Sequence, residues 1–361
     1  MSREIPHPSK FVAEPLADQL REAAFDAEFS RSLHEKQVAA IYNHNWFNLY
    51  VPKGFRGLEL SLPEILRLEE GIAWADGSSG WVVTLCSGAA WFIGFLDRPL
   101  AGEVFKSKGV CIAGSGATTG IAHRAKDGYE ITGSWPYATG SLLATAFTVN
   151  CLIWENDAQV YGVDGKAMVK SFLLMPEEVD IFISWNAMGM VATGSHSIEV
   201  KSVQVPENRS FIIHPDHAVL PDPIFRYPFQ QLAETTLTVN LSGMASRFLD
   251  LAEAKLKRKS NNLGTRKILE SRDRLLKARV AFYQKTDEAW NSLTSGLGIT
   301  HVLQIQISQS SQSLVNACRE SVNLLYPYCG LEAADTRTEI NRVWRNFQTA
   351  GQHSLFRDLL G

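Results

Sequence analysis

Gly133-Ser134-Trp135-Pro136-Tyr137-Ala138-Thr139-Gly140 sits inside a stretch, from about Val110 to Pro206, that is rich in Gly, Thr, Val and Ile in short runs. Tyr129-Glu130-Ile131-Thr132 leads into it from an Asp127-Gly128 turn, a strand-entry signal. Phe147-Thr148-Val149, Ser171-Phe172-Leu173-Leu174 and Ile198-Glu199-Val200 read as further strands. Val203 and Val205 continue the last at period two until Pro206 stops it. No helical pattern of about 10–15 residues separates these runs, so an antiparallel β-barrel or sandwich is expected rather than a doubly wound parallel sheet.

Outward from this stretch the period turns helical on both sides. Towards the N-terminus, Leu16, Leu20, Ala23 and Phe25 alternate with Asp18, Arg21, Glu22 and Asp26. Val51-Pro52-Lys53-Gly54-Phe55-Arg56-Gly57 punctuates the pattern as a loop. Ser61 then offers an N-cap, and Glu64 three residues on completes a capping box. Asp76-Gly77-Ser78-Ser79 reads as a break before an apolar helix from Gly80 to Phe95. That helix is shorter than the ~20 residues of a membrane span. It also carries Thr84, Ser87 and Gly88, and reads as a helix buried in a protein core. Towards the C-terminus, beyond Pro221-Asp222-Pro223, helical runs at Leu232–Lys259, Lys267–Leu293, Gln312–Leu325 and from Thr338 onward predict a four-helix bundle. The expected class is α+β, in three domains: an all-α domain over 1–108, a β-domain over 109–222 and the bundle over 223–361.

Composition excludes several functions. The formal net charge of −3 over 361 residues argues against a nucleic-acid surface or an anionic-membrane binder. Five cysteines, an odd number with no pair at C-x-x-C spacing, argue against a disulfide framework and a zinc site, and no metal is expected. Met-Ser-Arg-Glu-Ile-Pro-His at the N-terminus holds no apolar segment, so cytoplasm is the default location. No G-x-G-x-x-G string follows a strand, so a nicotinamide site of the Rossmann type is not indicated.

Four strings carry a resemblance. Leu68-Glu69-Glu70-Gly71-Ile72-Ala73-Trp74-Ala75-Asp76-Gly77-Ser78-Ser79-Gly80-Trp81 resembles the first-domain signature of the acyl-CoA dehydrogenase superfamily. The Gly133–Gly140 string resembles its second flavin-contacting strand and the loop after it. Met188-Gly189-Met190-Val191-Ala192-Thr193-Gly194-Ser195-His196-Ser197 resembles the turn that closes the β-domain. Arg342-Val343-Trp344-Arg345-Asn346 with Gln352-His353 resembles the last helix. Within the superfamily the strings look like the flavin-dependent monooxygenases of the 4-hydroxyphenylacetate hydroxylase and dibenzothiophene monooxygenase type. The resemblance implies a reduced flavin (FAD or FMN), oxygen, a small organic substrate, a partner flavin reductase and a homo-oligomer arranged as a dimer of dimers.

Dehydrogenation of an acyl thioester needs a carboxylate base beside the flavin. Counting from Arg345-Asn346, the usual glutamate falls at Ser354. Glu234, at the start of the first bundle helix, is the substitute base to weigh, against the plain alternative of an acid placed for the helix dipole. His353 stands beside the missing glutamate. By resemblance it lies near the flavin C4a edge, where an imidazole of ordinary pKa ~6.5 can donate a hydrogen bond and move a proton; the plain alternative is a packing histidine. Ala113, Gly114 and Ser115 are implied along the flavin edge, and Tyr137, Ala138 and Thr139 against its face. Ser195 and His196, in a Thr-Gly-Ser-His turn, read as polar groups facing substrate or cofactor, and Trp135 as either a substrate wall or core. Arg266 and the run Lys255, Lys257, Arg258, Lys259 are candidates for the cofactor phosphate, set against dipole complementation for the run. Val191 and Asn346 depart from the family's usual arginine and aspartate. Two other functions stay open: an acyl-CoA dehydrogenase, and a non-catalytic relative that keeps the fold.

Overall fold

The computed structural model describes residues 5–107, 109–258 and 262–358. The N-terminal part holds α1 (Glu14–Ser30), α2 (Glu35–Asn43), α3 (Leu62–Ala75), α4 (Gly77–Ala90) and α5 (Arg98–Val104). Ser61 N donates to Glu64 Oε2 at 2.8 Å, the capping box that opens α3. Asp76 alone makes the break that four residues were expected to make. Its extended backbone, φ −152°, ends α3, and its carboxylate accepts from Ser79 N at 2.8 Å to start α4. Gly77, Ser78 and Ser79 are therefore helical.

Glycines set how closely α3 packs. A Cβ on Gly80 would stand 2.6 Å from Ala73 Cα, and one on Gly243 would stand 2.3 Å from Glu70 O. The second contact brings in α6, so α3 lies backbone to backbone between two partners. Gly77–Phe95, α4 with its 3-10 extension, is 19 residues and long enough to span a membrane, yet 83% of its most apolar window is buried inside the protein. It is the core helix expected.

The middle of the chain forms one nine-stranded sheet in the order β7-β8-β3-β2-β4-β6-β9, with β1 and β5 both pairing β4. The strands are β1 (Ile112–Gly114), β2 (Gly120–Ala125), β3 (Gly128–Ala138), β4 (Ala146–Glu155), β5 (Ala158–Gln159), β6 (Val169–Leu174), β7 (Asp180–Phe182), β8 (His196–Pro206) and β9 (Ser210–Phe211). The sheet is mixed rather than wholly antiparallel, because β1 and β2 each run parallel to β4. The β2–β3 hairpin reverses the chain once, and β4 re-enters on the far side of β2 from the end where β2 began. A parallel pair arises this way with no crossover helix. The sheet has its own core around Trp135, Phe147, Phe172 and Ile198.

The bundle comprises α6 (Phe229–Arg258), α7 (Asn262–Thr294), α8 (His301–Cys329) and α9 (Glu339–Ala350), with a short α10 (Leu355–Asp358) after it. α8 starts well before Gln312. Its first turns carry Gln304, Gln306, Ser308 and Gln309 among the apolar residues, which hides the stripe. A buried ion pair joins bundle to N-terminal helices: Glu70 of α3 accepts from Arg279 Nε at 2.8 Å, Arg279 Nη2 at 2.7 Å, Tyr283 OH at 2.7 Å and Ser242 Oγ at 2.5 Å.

Candidate active site

The β-domain turns that carry the predicted residues are tied to one another. Ser115 Oγ donates to Pro136 O at 2.6 Å and accepts from Ala117 N at 3.3 Å, which joins the end of β1 to the end of β3. Thr139 Oγ1 lies 2.9 Å from Ser195 Oγ, which lies 2.7 Å from Thr193 Oγ1. Gly140 N donates to Thr193 O at 3.0 Å, and Ser141 Oγ to Gly194 O at 2.9 Å. The Thr-Gly-Ser turn is thus zipped to the loop after β3. A register shift between Trp135 and Ala138 throws Tyr137 outward, at φ +63° and 69% exposed. Left-handed backbone is uncommon for a tyrosine and costs roughly 1–3 kcal/mol, which the surrounding bonds must offset. The Tyr137 ring meets Trp185 edge-on at 6.2 Å.

The last bundle helix is latched to this region. Asn346 Oδ1 accepts from Met190 N at 2.6 Å, and Arg345 Nη1 donates to Met188 O at 2.7 Å. Between them a Cβ on Gly189 would fall 2.1 Å from Arg345 O, so only glycine admits the approach. Asparagine at the usual aspartate position is therefore a clamp on the β-domain turn. Arg345 also grips Glu28 at 3.0 and 2.8 Å.

His353 follows α9 in the turn before α10 and is half-buried. Its Nδ1 accepts from Leu355 N at 3.3 Å, so the neutral ring carries its proton on Nε2. Burial pushes its pKa below the ordinary histidine value and favours that neutral form. The ring meets Trp81 of α4 at 5.9 Å and Phe356 at 6.3 Å. Arg319 of α8 holds the turn from behind, donating to Gly351 O at 2.7 Å with its guanidinium 6.0 Å from the Phe356 ring.

Trp81 begins a stripe that the sequence did not reveal. Of the residues of α4 only Leu85 and Gly88 are not fully buried, and Phe92 continues them one turn on. These four share a face at helical spacing. A Cβ on Gly88 would meet nothing within 4 Å. At the far end, the Phe92 ring lies 5.6 Å from both Phe211 and Phe229. An open apolar wall therefore runs from the imidazole of His353 to the edge of the sheet. The other faces of α4 carry apolar residues broken only by small serines and a threonine, so no periodicity in the sequence marks this one.

Several predicted residues lie elsewhere or do other work. Trp135 is wholly buried, its Nε1 donating to Asn150 O at 2.9 Å; it is core and walls no substrate. Glu234 is buried between α6 and α8, taking Gln230 Nε2 at 2.9 Å and Ser308 Oγ at 2.5 Å. Both oxygens are engaged, which leaves it poorly suited to act as a base. Ala113 is buried in the sheet core, and a Cβ on Gly114 would strike Thr148 Oγ1 at 2.3 Å, so that glycine serves strand packing. Ser195 and His196 are both buried. His196 Nδ1 accepts from Ser184 N and Trp185 N, each at 3.2 Å, and so positions Trp185. Arg266 is on helix α7, not in a loop, two-thirds exposed and 3.7 Å from Glu270. Lys255 is buried against Glu332, and Lys257 pairs with Glu253 at 2.7 Å. Lys259 lies outside the described residues.

The remaining set fits a flavin. Gly114 and Ser115 are half-buried rather than closed, and a Cβ on Gly116 beside them meets nothing. The Thr139 and Ser195 hydroxyls are 2.9 Å apart, Ser115 is tied to the end of β3 through Pro136 O, and the His353 imidazole stands beside Trp81 of α4. Among the described residues no group of His, Cys, Asp and Glu could hold a metal ion.

Comparison with known proteins places nearly the whole chain among flavin-dependent monooxygenases as relatives. The family model described as acyl-CoA dehydrogenase, C-terminal domain, matches residues 232–358. Indole-3-acetate monooxygenase of Pseudomonas putida is 25% identical over 96% of this chain and 90% of its own. The flavin-dependent monooxygenase oxygenase subunit HsaA of Mycobacterium tuberculosis is 24% identical over 94% of this chain and 89% of its own. The crystal structure of 3-HSA hydroxylase from Rhodococcus sp. RHA1 superposes with a TM-score of 0.90 at 20% identity, over 99% of this chain and 96% of that one, a likeness of fold.

Proposed function

We propose that this chain, which has the acyl-CoA dehydrogenase fold and flavin-dependent monooxygenases as its relatives along nearly its whole length, is itself the oxygenase component of such a system. One observation carries the reading. The reactive end of the last helix presents an imidazole, His353, and the carboxylate that dehydrogenation would need is absent from its position or, at Glu234, bound up in the bundle.

The flavin, FAD or FMN, supplies activation of oxygen when bound in its reduced form. Ser115 and the backbone of 114–116 would hold it from the β1 side, and Thr139, steadied by Ser195, would hold it from the loop after β3. His353 keeps its proton on Nε2 and offers it as a hydrogen bond, while Trp81 fixes the ring from α4. The stripe of Leu85, Gly88 and Phe92 takes a small, largely apolar substrate and excludes water from the region of His353. A separate reductase supplies the reduced flavin. Leu269 and Leu276, 64% and 45% exposed and one heptad apart on α7, offer apolar surface to a second copy in a homo-oligomer.

Anaerobic titration with reduced FAD and reduced FMN tests the reading. Reduced flavin binds more tightly than oxidised, and on mixing with oxygen its return to the oxidised spectrum is slower than that of free flavin. Bleaching of bound oxidised flavin by an acyl-CoA would instead favour a dehydrogenase. Failure to bind flavin in either state would favour a non-catalytic relative. In His353→Ala the delay disappears. In the wild type the His353-dependent step holds through neutral pH and falls only below the ordinary histidine range near ~6.5, because the lowered pKa keeps the ring neutral to lower pH.

A further inference from the structure

Four buried side-chain atoms have no hydrogen-bond partner among the described residues and come from four separate segments: Tyr50 OH, Glu69 Oε2 of α3, Tyr227 OH and Asn240 Oδ1 of α6. Each of these residues is at most 1% exposed. A buried polar atom left unpaired costs about 1–3 kcal/mol, so four in one neighbourhood are costly unless something occupies them.

They do share a neighbourhood. Asn240 Nδ2 donates to Thr84 Oγ1 at 2.6 Å, and Ser87 Oγ donates to Glu69 Oε1 at 3.3 Å. Burial holds the Tyr50 phenol far above its usual range, and Glu69 and Tyr227 are both near enough to add to that effect. Thr84 and Ser87 directly precede Leu85 and Gly88 on α4. The polar cluster therefore lies one residue around the helix from the open stripe, beside Gly88, where no side chain stands.

We propose that Tyr50, Glu69, Tyr227 and Asn240 form a polar subsite beside the Leu85–Gly88 part of the α4 stripe that receives a neutral hydroxyl group, phenolic or alcoholic, of the substrate. The donor and acceptor balance selects that group. Burial keeps both phenols protonated, so both donate. The Asn240 amide oxygen accepts. Burial pushes Glu69 up to about 8, so at neutral pH it is an uncharged acid that both donates and accepts. A hydroxyl can satisfy both kinds at once. A carboxylate or phosphate would bring a charge into a dry site that has no cation to pair with it among these groups. The subsite rests on the reading that substrate lies along the α4 stripe.

Phenol and toluene, one ring with and without the hydroxyl, are the probes. Calorimetry on the full-length protein gives their affinities, with and without bound reduced flavin. The wild type prefers phenol by about tenfold or more, the size of one good hydrogen bond. Tyr50→Phe and Tyr227→Phe bring the ratio close to one and leave the flavin affinity unchanged. No preference in the wild type, or a preference that survives both variants, overturns the subsite. If the variants do not fold, a phenol-soaked crystal of the wild type decides. Hydroxyl density within hydrogen-bond distance of Tyr50 and Glu69 supports the proposal, and density for water alone overturns it. Loss of flavin binding would sink the oxygenase reading separately, since the phenol-to-toluene ratio is also measured without flavin.

Discussion

Glu69 and Glu70 are neighbours on α3, both wholly buried, and the chain treats them in opposite ways. Glu70 turns toward α6 and α7, where Arg279, Tyr283 and Ser242 satisfy both its oxygens. Glu69 turns toward α4, where Ser87 donates to one oxygen, Thr84 stands close by, and Oε2 has no hydrogen-bond partner among the described residues. One side of the helix is a finished structural joint. The other keeps unused hydrogen-bonding capacity beside the open stripe. A buried carboxylate is therefore no sign of function by itself; what distinguishes the two is whether the protein supplies every partner.

Breaking the finished joint has the largest effect. Glu70→Ala strands the Arg279 guanidinium in the core, and chemical denaturation should show about 3–5 kcal/mol lost, or no soluble protein. The unfinished side should answer to pH instead. Glu69 has its folded pKa raised from 4.5 to about 8, so the stability it contributes is complete below 4.5 and is lost as pH rises toward 8. Relative to Glu69→Gln, the wild type should lose up to about 1.4 kcal/mol per pH unit inside that window and nothing further above it. Parallel melting curves that stay equidistant from pH 5 to 8 would refute this.

Two glycines of α4 sharpen the contrast further. Gly80 touches the α3 backbone, and Gly80→Ala should cost about 1–3 kcal/mol through overpacking. Gly88 faces open space, and Gly88→Ala should stabilise the helix by about 0.5–1 kcal/mol. A thermal shift of the same sign in both would mean that the stripe is closed.

The sequence was legible where local chemistry decides structure. Ser61 and Glu64 announce a helix start, and Asp127-Gly128 announces a hairpin, because each acts on its own backbone. The parallel β2–β4 pair was not legible, since it depends on where β4 docks after the hairpin and not on any residue in it. Of the site, Thr139, Ser195 and His353 were named from the strings they sit in and Ser115 from the resemblance alone, and Thr139 and Ser195 do bond one another. Trp135 stayed open between substrate wall and core because an indole beside a loop looks the same whether it faces a ligand or Asn150. The stripe from Trp81 to Phe92 was invisible for the opposite reason: a helix apolar on every side has no phase to read. The Tyr50–Glu69–Tyr227–Asn240 cluster joins residues from distant parts of the chain, and no spacing rule brings them together.

Asp76 ends one helix and begins the next with no residue between them. Such a hinge has no slack. One inserted amino acid after it would turn every later position of α4 by about 100°. The face on which Cys86 Sγ donates to Thr139 O would swing away, and the bare edge at Gly88 would rotate into solid packing. Length between Ala75 and Gly77 is therefore held as strictly as any side chain, and descendants of this chain can change what lines the wall far more readily than they can add or remove a link at that corner.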